Sequence, residues 1–207
     1  MTSVSIIGIG NMGGAITRIA TAAGAQVQVL ARDAEKAAAL AGDTGATAAA
    51  FGAPLAGDIV VLALPFGAVD EVLATYGPQL TGKVVVDITN PVDFSTFDGL
   101  VVPSDGSAAA VLQAKVPGAR VVKAFNTNFA STLASGAVGD NTATVLVAGD
   151  DDAAKTAVID LVRAGGLQAE DAGSLKRARE LEALGFLQIK LAATEKVGWT
   201  GGFAVVR

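Results

Sequence analysis

VSIIGIGNMGGAI, residues 4–16, carries an apolar run into glycines at G-x-G-x-x-G spacing: Gly8, Gly10 and Gly13. Val4, Ile6 and Ile7 before them read as a strand, and Ala15, Ile16, Ile19 and Ala20 after them as a helix. A glycine-rich tight turn without a ligand would satisfy the spacing alone, but strand, turn and helix in this order are what a dinucleotide fingerprint requires. Gly8 lets the strand turn, Gly10 lets backbone approach a pyrophosphate, and Gly13 lets helix and strand pack closely. The helix-start amides then face the phosphates, which makes Ile9, Asn11 and Met12 binding candidates with the glycines.

Working outward, the next strand ends near residue 30, where NAD-selective folds place an acid for the ribose 2′-hydroxyl. Ala31 stands there instead, followed by Arg32, with Lys36 one helical turn on. A missing carboxylate together with added cations predicts NADP rather than NAD. Arg32 and Lys36 could equally be solvated helix-start residues, with Asp33 as the N-cap. Asp33 is also the residue that could serve NAD if it turned inward.

Composition narrows the chemistry. Among the 207 residues, 51% are hydrophobic and 17% charged, and no apolar run approaches the ~18 residues of a membrane span. The chain opens directly into its first strand without a signal-peptide pattern, so a cytoplasmic setting is expected. There is no cysteine and no histidine. Thiolate nucleophiles and the commonest proton shuttle and metal ligand are excluded together. No metal is expected, and a net charge of −5 argues against nucleic acid.

The rest of the chain alternates strands and helices. Helices are predicted over residues 12–23, 68–76, 107–115 and 174–196, with another capped by the run Asp150 to Asp152 and reaching Arg163, and strands over 26–30, 46–50, 58–64, 83–87, 120–125, 142–148 and 167–171. Residues 90–107 form the longest irregular segment, in which Phe94 and Phe97 suggest an ordered wall. Asp150, Asp151 and Asp152 read as helix cap and dipole partners rather than metal ligands. Lys123 and Asp87 could be an acid/base pair, but buried strands favour a structural ion pair. Arg179 and Glu182 read as a surface pair. Leu175, Leu181, Leu184, Leu187 and Leu191, with Phe186 and Ile189, give the last helix more apolar surface than one sheet face needs, which predicts a homodimer contact.

The predicted fold is α/β, a Rossmann-like doubly wound and mostly parallel sheet with a C-terminal helical extension. Residues 1–172 form the NADP-binding part; residues 173–207 form a helix and tail packed on the same domain and at the dimer contact. A ligand in such a sheet lies beyond the carboxyl ends of the strands. That gathers Leu64, Pro65, Phe66, Thr89, Asn90, Pro91, Phe125, Asn126 and Thr127 around one crevice.

GIGNMGGAI at residues 8–16, LALPF at 62–66, VVVDITNP at 84–91, VVKAFNT at 121–127, GDD at 149–151 and DAGSLKRARELE at 171–182 give the chain its family likeness. It resembles the F420-dependent NADP oxidoreductases, whose relatives include the cytoplasmic domains of six-transmembrane ferric reductases. The resemblance implies hydride transfer between a nicotinamide and a second ring, a deazaflavin such as coenzyme F420 or a flavin such as FMN or FAD. It implies that Arg32 and Lys36 match positions reading the 2′-phosphate. Asn126 stands where some deazaflavin enzymes carry histidine, and is the ring-positioning candidate. The expectation is an NADP-dependent oxidoreductase acting on a small redox substrate, and the alternative is an NADP-sensing interaction module with little turnover.

Overall fold

A computed structural model describes residues 1–206; Arg207, the end of the tail, lies outside the described residues. Strand β1 (Ser3–Ile7) leads to helix α1 (Asn11–Ala22), then β2 (Gln26–Ala31), α2 (Ala34–Thr44), β3 (Thr47–Ala50) and β4 (Ile59–Leu62). A 3-10 turn precedes α3 (Val69–Tyr76), followed by β5 (Val84–Asp87), α4 (Ala108–Lys115) and β6 (Arg120–Lys123). Next come α5 (Ala130–Ser135), a hairpin of β7 (Ala137–Val138) and β8 (Asn141–Thr142), then β9 (Thr144–Gly149), α6 (Asp152–Ala164) and β10 (Gln168–Gly173). A 3-10 turn over Leu175–Arg177 opens α7 (Ala178–Ala193).

The main sheet has eight strands in the order β10-β9-β6-β5-β4-β1-β2-β3. β1 to β6 are all parallel, and β9 runs antiparallel to β6 with β10 parallel beside it. The order reverses between β1 and β4, and that reversal opens the crevice at the carboxyl ends of the strands.

Alternation of side chains along each strand explains two separate cores. Val4, Ile6, Val27, Val29, Val61, Val84, Val86 and Val122 point to the face covered by α1, α5 and α6. Ile7, Leu30, Val60, Leu62, Val85 and Val121 point to the opposite face, where Val69 and Val72 of α3, Leu112 of α4 and Leu175 pack. A sheet buried on both faces reads as continuous apolar strands, and the central β4 and β5 do so over Ile59–Leu62 and Val84–Val86.

Several expectations need correction. α5 and β7 lie where no regular element is predicted, and the strand predicted from residue 142 is divided between β8 and β9. α7 begins only at Ala178, because a 3-10 turn takes up the first residues, and it ends at Ala193, short of residue 196. The side chain of Ser174 makes no cap bond there; Asp150 Oδ1 instead accepts from the Leu175 amide at 2.9 Å. The aspartate run is otherwise as expected, with Asp151 capping α6 through the Ala154 amide and Asp152 paired with Lys155. Among the described residues no helix is long and apolar enough to cross a membrane.

Candidate functional site

Each fingerprint glycine has a local reason. Gly8 holds φ at +105°, and a Cβ there would lie 2.2 Å from the Ala63 carbonyl oxygen. A Cβ on Gly13 would lie 2.1 Å from the Gly8 carbonyl oxygen, so helix and turn touch backbone to backbone. Gly10 is different, because a Cβ would meet nothing within 4 Å. Its smallness serves no internal packing and leaves the approach to the backbone open. Gly10 also starts α1 with no side-chain cap among the described residues. An uncapped helix N-terminus with a bare approach suits an anion.

Beside this turn lies a cleft of about 460 Å³, lined by Ile7 to Gly10, by Leu30 to Asp33, and by Lys36, Phe51, Leu64, Pro65, Ala68 and Val72. Its walls are mostly apolar, with the charges gathered at one end. Phe51 stacks edge-on against Tyr76 at 5.3 Å, and Tyr76 is fully buried, so the ring is held in place. The Arg32 guanidinium lies 5.7 Å from the Phe51 ring centroid. Its Nη2 donates to Glu71 of α3. Lys36 Nζ lies 3.2 Å from Asp33 Oδ2. Asp33 turns to its own helix, accepting from the Lys36 amide at 3.0 Å, and this bond holds its carboxyl below the usual range.

A second group of candidates gathers at the ends of β5 and β6. Asn90 Nδ2 donates to the Asn126 carbonyl at 2.8 Å, and Asn126 Nδ2 donates back to Asn90 Oδ1 at 2.9 Å. Asn126 also donates to the Leu181 carbonyl of α7, so it is a buried anchor beneath the crevice. Between these strand ends Phe125 adopts φ of +63°, a left-handed conformation rare for a bulky residue. Pro91 is buried, Met12 and Ile9 half-buried, and Asn11 exposed. Phe66 does not line the cleft; it packs against the second core.

Below this floor sits a closed ionic cluster. Lys123 Nζ contacts Asp87 Oδ2 at 2.9 Å, Glu182 Oε1 at 2.8 Å and the Thr89 carbonyl at 2.5 Å. Glu182 is fully buried and accepts from the Ala108 and Ala109 amides, which corrects its reading as a surface partner of Arg179. Burial pushes its carboxyl above the ordinary glutamate range despite the Lys123 charge.

Glu71, Phe51 and Gly185 escaped the sequence reading. A Cβ at Gly185 would lie 2.5 Å from Asn90 Oδ1, so this glycine lets α7 rest on the crevice floor. Nothing in its local pattern announces that, because its partner is distant in sequence. Among the described residues no group of three or more acidic, histidine or cysteine side chains could hold a metal.

The family model for coenzyme F420-dependent NADP oxidoreductases matches residues 3–91, from β1 through the end of the β5 segment. An F420-dependent NADP reductase of Methanocaldococcus jannaschii is 34% identical over 149 residues, 70% of this chain and 66% of that protein. One of the same name from Methanothermobacter thermautotrophicus is 30% identical across an alignment that covers 92% of this chain and 88% of the relative. A crystal structure of a putative F420-dependent NADP reductase from Arthrobacter sp. FB24 superposes with a TM-score of 0.86 at 26% identity, covering 100% of both chains. With a relative matched along most of both lengths and the fingerprint turn inside the family model, this chain belongs to the coenzyme F420-dependent NADP oxidoreductase family.

Proposed function

We propose that the protein is an NADP(H)-dependent oxidoreductase that moves a hydride between the nicotinamide and a ring-type acceptor, coenzyme F420 or a flavin such as FMN or FAD. The observation that carries the NADP part is the cleft's charged end, where Arg32 and Lys36 flank the end of β2 and Ala31 supplies no carboxylate. The open Gly10 and the uncapped start of α1 fit a pyrophosphate, and the apolar walls formed by Phe51, Leu64 and Val72 fit an adenine. NADPH, when bound, supplies the hydride itself.

The chain's own residues bind and orient. The α1 amides with Asn11 and Met12 hold the diphosphate, and Leu64, Pro65, Asn90 and Pro91 shape the crevice towards the reacting end. Asn126 fixes Asn90 through its reciprocal amide bonds and so acts on the ring position from below. With neither histidine nor cysteine in the sequence, the work falls to orientation and exclusion of water, which supply much of the rate in a transfer between two held rings. The proposed setting is the cytoplasm, and the proposed active species is a homodimer joined through α7.

The test is NADPH oxidation against a panel of F420, FMN and FAD, with an acceptor-free control. Turnover with one of these rings is expected. Tight NADPH binding with no oxidation above the control by any ring would replace this reading with that of a binding module.

A further inference from the structure

Arg32 and Glu71 stand 39 residues apart in sequence, one residue past the end of β2 and in the first turn of α3, yet they meet at the charged end of the cleft. Their side chains are 67% and 55% exposed. An ion pair so exposed contributes little to stability, so the fold does not need it. What it does change is the electrostatics of the site. Lys36 is likewise paired, with Asp33, so these side chains sum to no net charge although two of them are cations.

The geometry points to Glu71 as a specificity-determining residue, the internal counter-ion that competes with the cofactor's 2′-phosphate for Arg32 and sets how strongly the site prefers a phosphorylated ribose. The inference rests on the NADP reading above. A guanidinium presents its donors in a planar fork, and a phosphate is gripped best by two of them at once. Glu71 takes Nη2, so an arriving phosphate either displaces the carboxylate or shares the guanidinium with it across a short distance. A phosphomonoester carries about −1.5 to −2 at pH 7. Both routes therefore weaken binding of the phosphate, while an unphosphorylated ribose is indifferent to the exchange. Like charges separated by the width of a guanidinium, in water-like surroundings with physiological salt, correspond to about a three- to tenfold penalty in affinity.

The experiment is isothermal titration of the full chain with 2′,5′-ADP and with 5′-AMP, for the wild type, Glu71→Gln and Arg32→Ala, at low and high salt. Glu71→Gln keeps the shape of the side chain and removes its charge. It should bind 2′,5′-ADP about three- to tenfold more tightly, leave 5′-AMP unchanged, and lose most of the gain at high salt. Its thermal midpoint should match the wild type, which confirms that the affinity change is not a folding effect. Weaker or unchanged binding of 2′,5′-ADP by Glu71→Gln, in a protein whose preference Arg32→Ala abolishes, overturns the role of Glu71 and leaves the NADP reading standing. If neither the wild type nor Glu71→Gln prefers 2′,5′-ADP over 5′-AMP, the NADP reading falls and takes this one with it.

Discussion

Arg32 holds its guanidinium near the Phe51 ring and shares its charge with Glu71, while Ala31 beside it is buried and offers no acceptor. A charge-assisted bond to phosphate is worth roughly 1.5 to 3 kcal/mol. Competition from Glu71 places this site at the lower end. Arg32→Ala should therefore lower affinity for NADP about tenfold and leave NAD nearly unchanged, and Lys36→Ala should do the same more weakly because an ammonium lacks the fork. Titration with both cofactors checks this, and equal losses for NADP and NAD would remove Arg32 from the phosphate. At this scale the sequence told much. Gly8, Gly10 and Gly13 were legible by spacing, since a turn between strand and helix uses neighbours in the chain. Glu71 was not, because a first-turn carboxylate looks like a helix-dipole partner wherever it occurs.

Elements are joined by what local patterns hide. β5 and β6 pair in register with Asp87 opposite Lys123, so that ion pair could be read from strands alone. Glu182 reaches the same ammonium from α7, and its oxygens also take the first amides of α4, so the cluster joins two strands and two helices. Spacing of three residues made Arg179 look like its partner, whereas burial chose Lys123. α5 escaped because Ala130–Ser135 is short and lacks a strong apolar period, and the reversed direction of β9 leaves no mark on a buried strand. The cluster yields a prediction. Lys123→Met leaves two buried carboxylates without their cation, which should cost about 3 to 5 kcal/mol. The raised carboxyl of Glu182 sets the pH trend: its contribution is fullest below the unfolded value of 4.5 and declines as pH rises through the folded value. The loss in Lys123→Met should accordingly shrink on mild acidification, as the stranded Glu182 carboxyl takes up a proton. Urea unfolding at several pH values measures both effects, and a loss under about 1 kcal/mol at neutral pH would mean that the cluster is no structural bond.

At the scale of the whole molecule, α7 presents more apolar surface than the sheet covers. One face of this helix is spent on the site: Leu181 and Glu182 are buried, the Leu181 carbonyl holds Asn126, and Gly185 rests against Asn90. Opposite that face Leu187 is 48% exposed, while Leu184 and Leu191 on one flank and Phe186 and Ile189 on the other are half-buried. Lys190 ties the loop after β5 to this helix by donating to the Phe97 carbonyl at 2.6 Å, and that loop exposes Phe94 and Val101. Apolar side chains collected on a helix and its attached loop are more than a monomer usually leaves in water. A second copy of the chain would bury them, and a two-fold contact along α7 would also stiffen the floor that carries Asn90 and Asn126. The expected outcome is a homodimer mass by light scattering at micromolar concentration. Leu187→Glu, which places a charge in the middle of the contact without touching the buried face, should shift that mass to the monomer while leaving the fold intact by circular dichroism. A wild-type monomer mass with no dependence on concentration would show that α7 carries its apolar face uncovered, and the dimer would have to be given up.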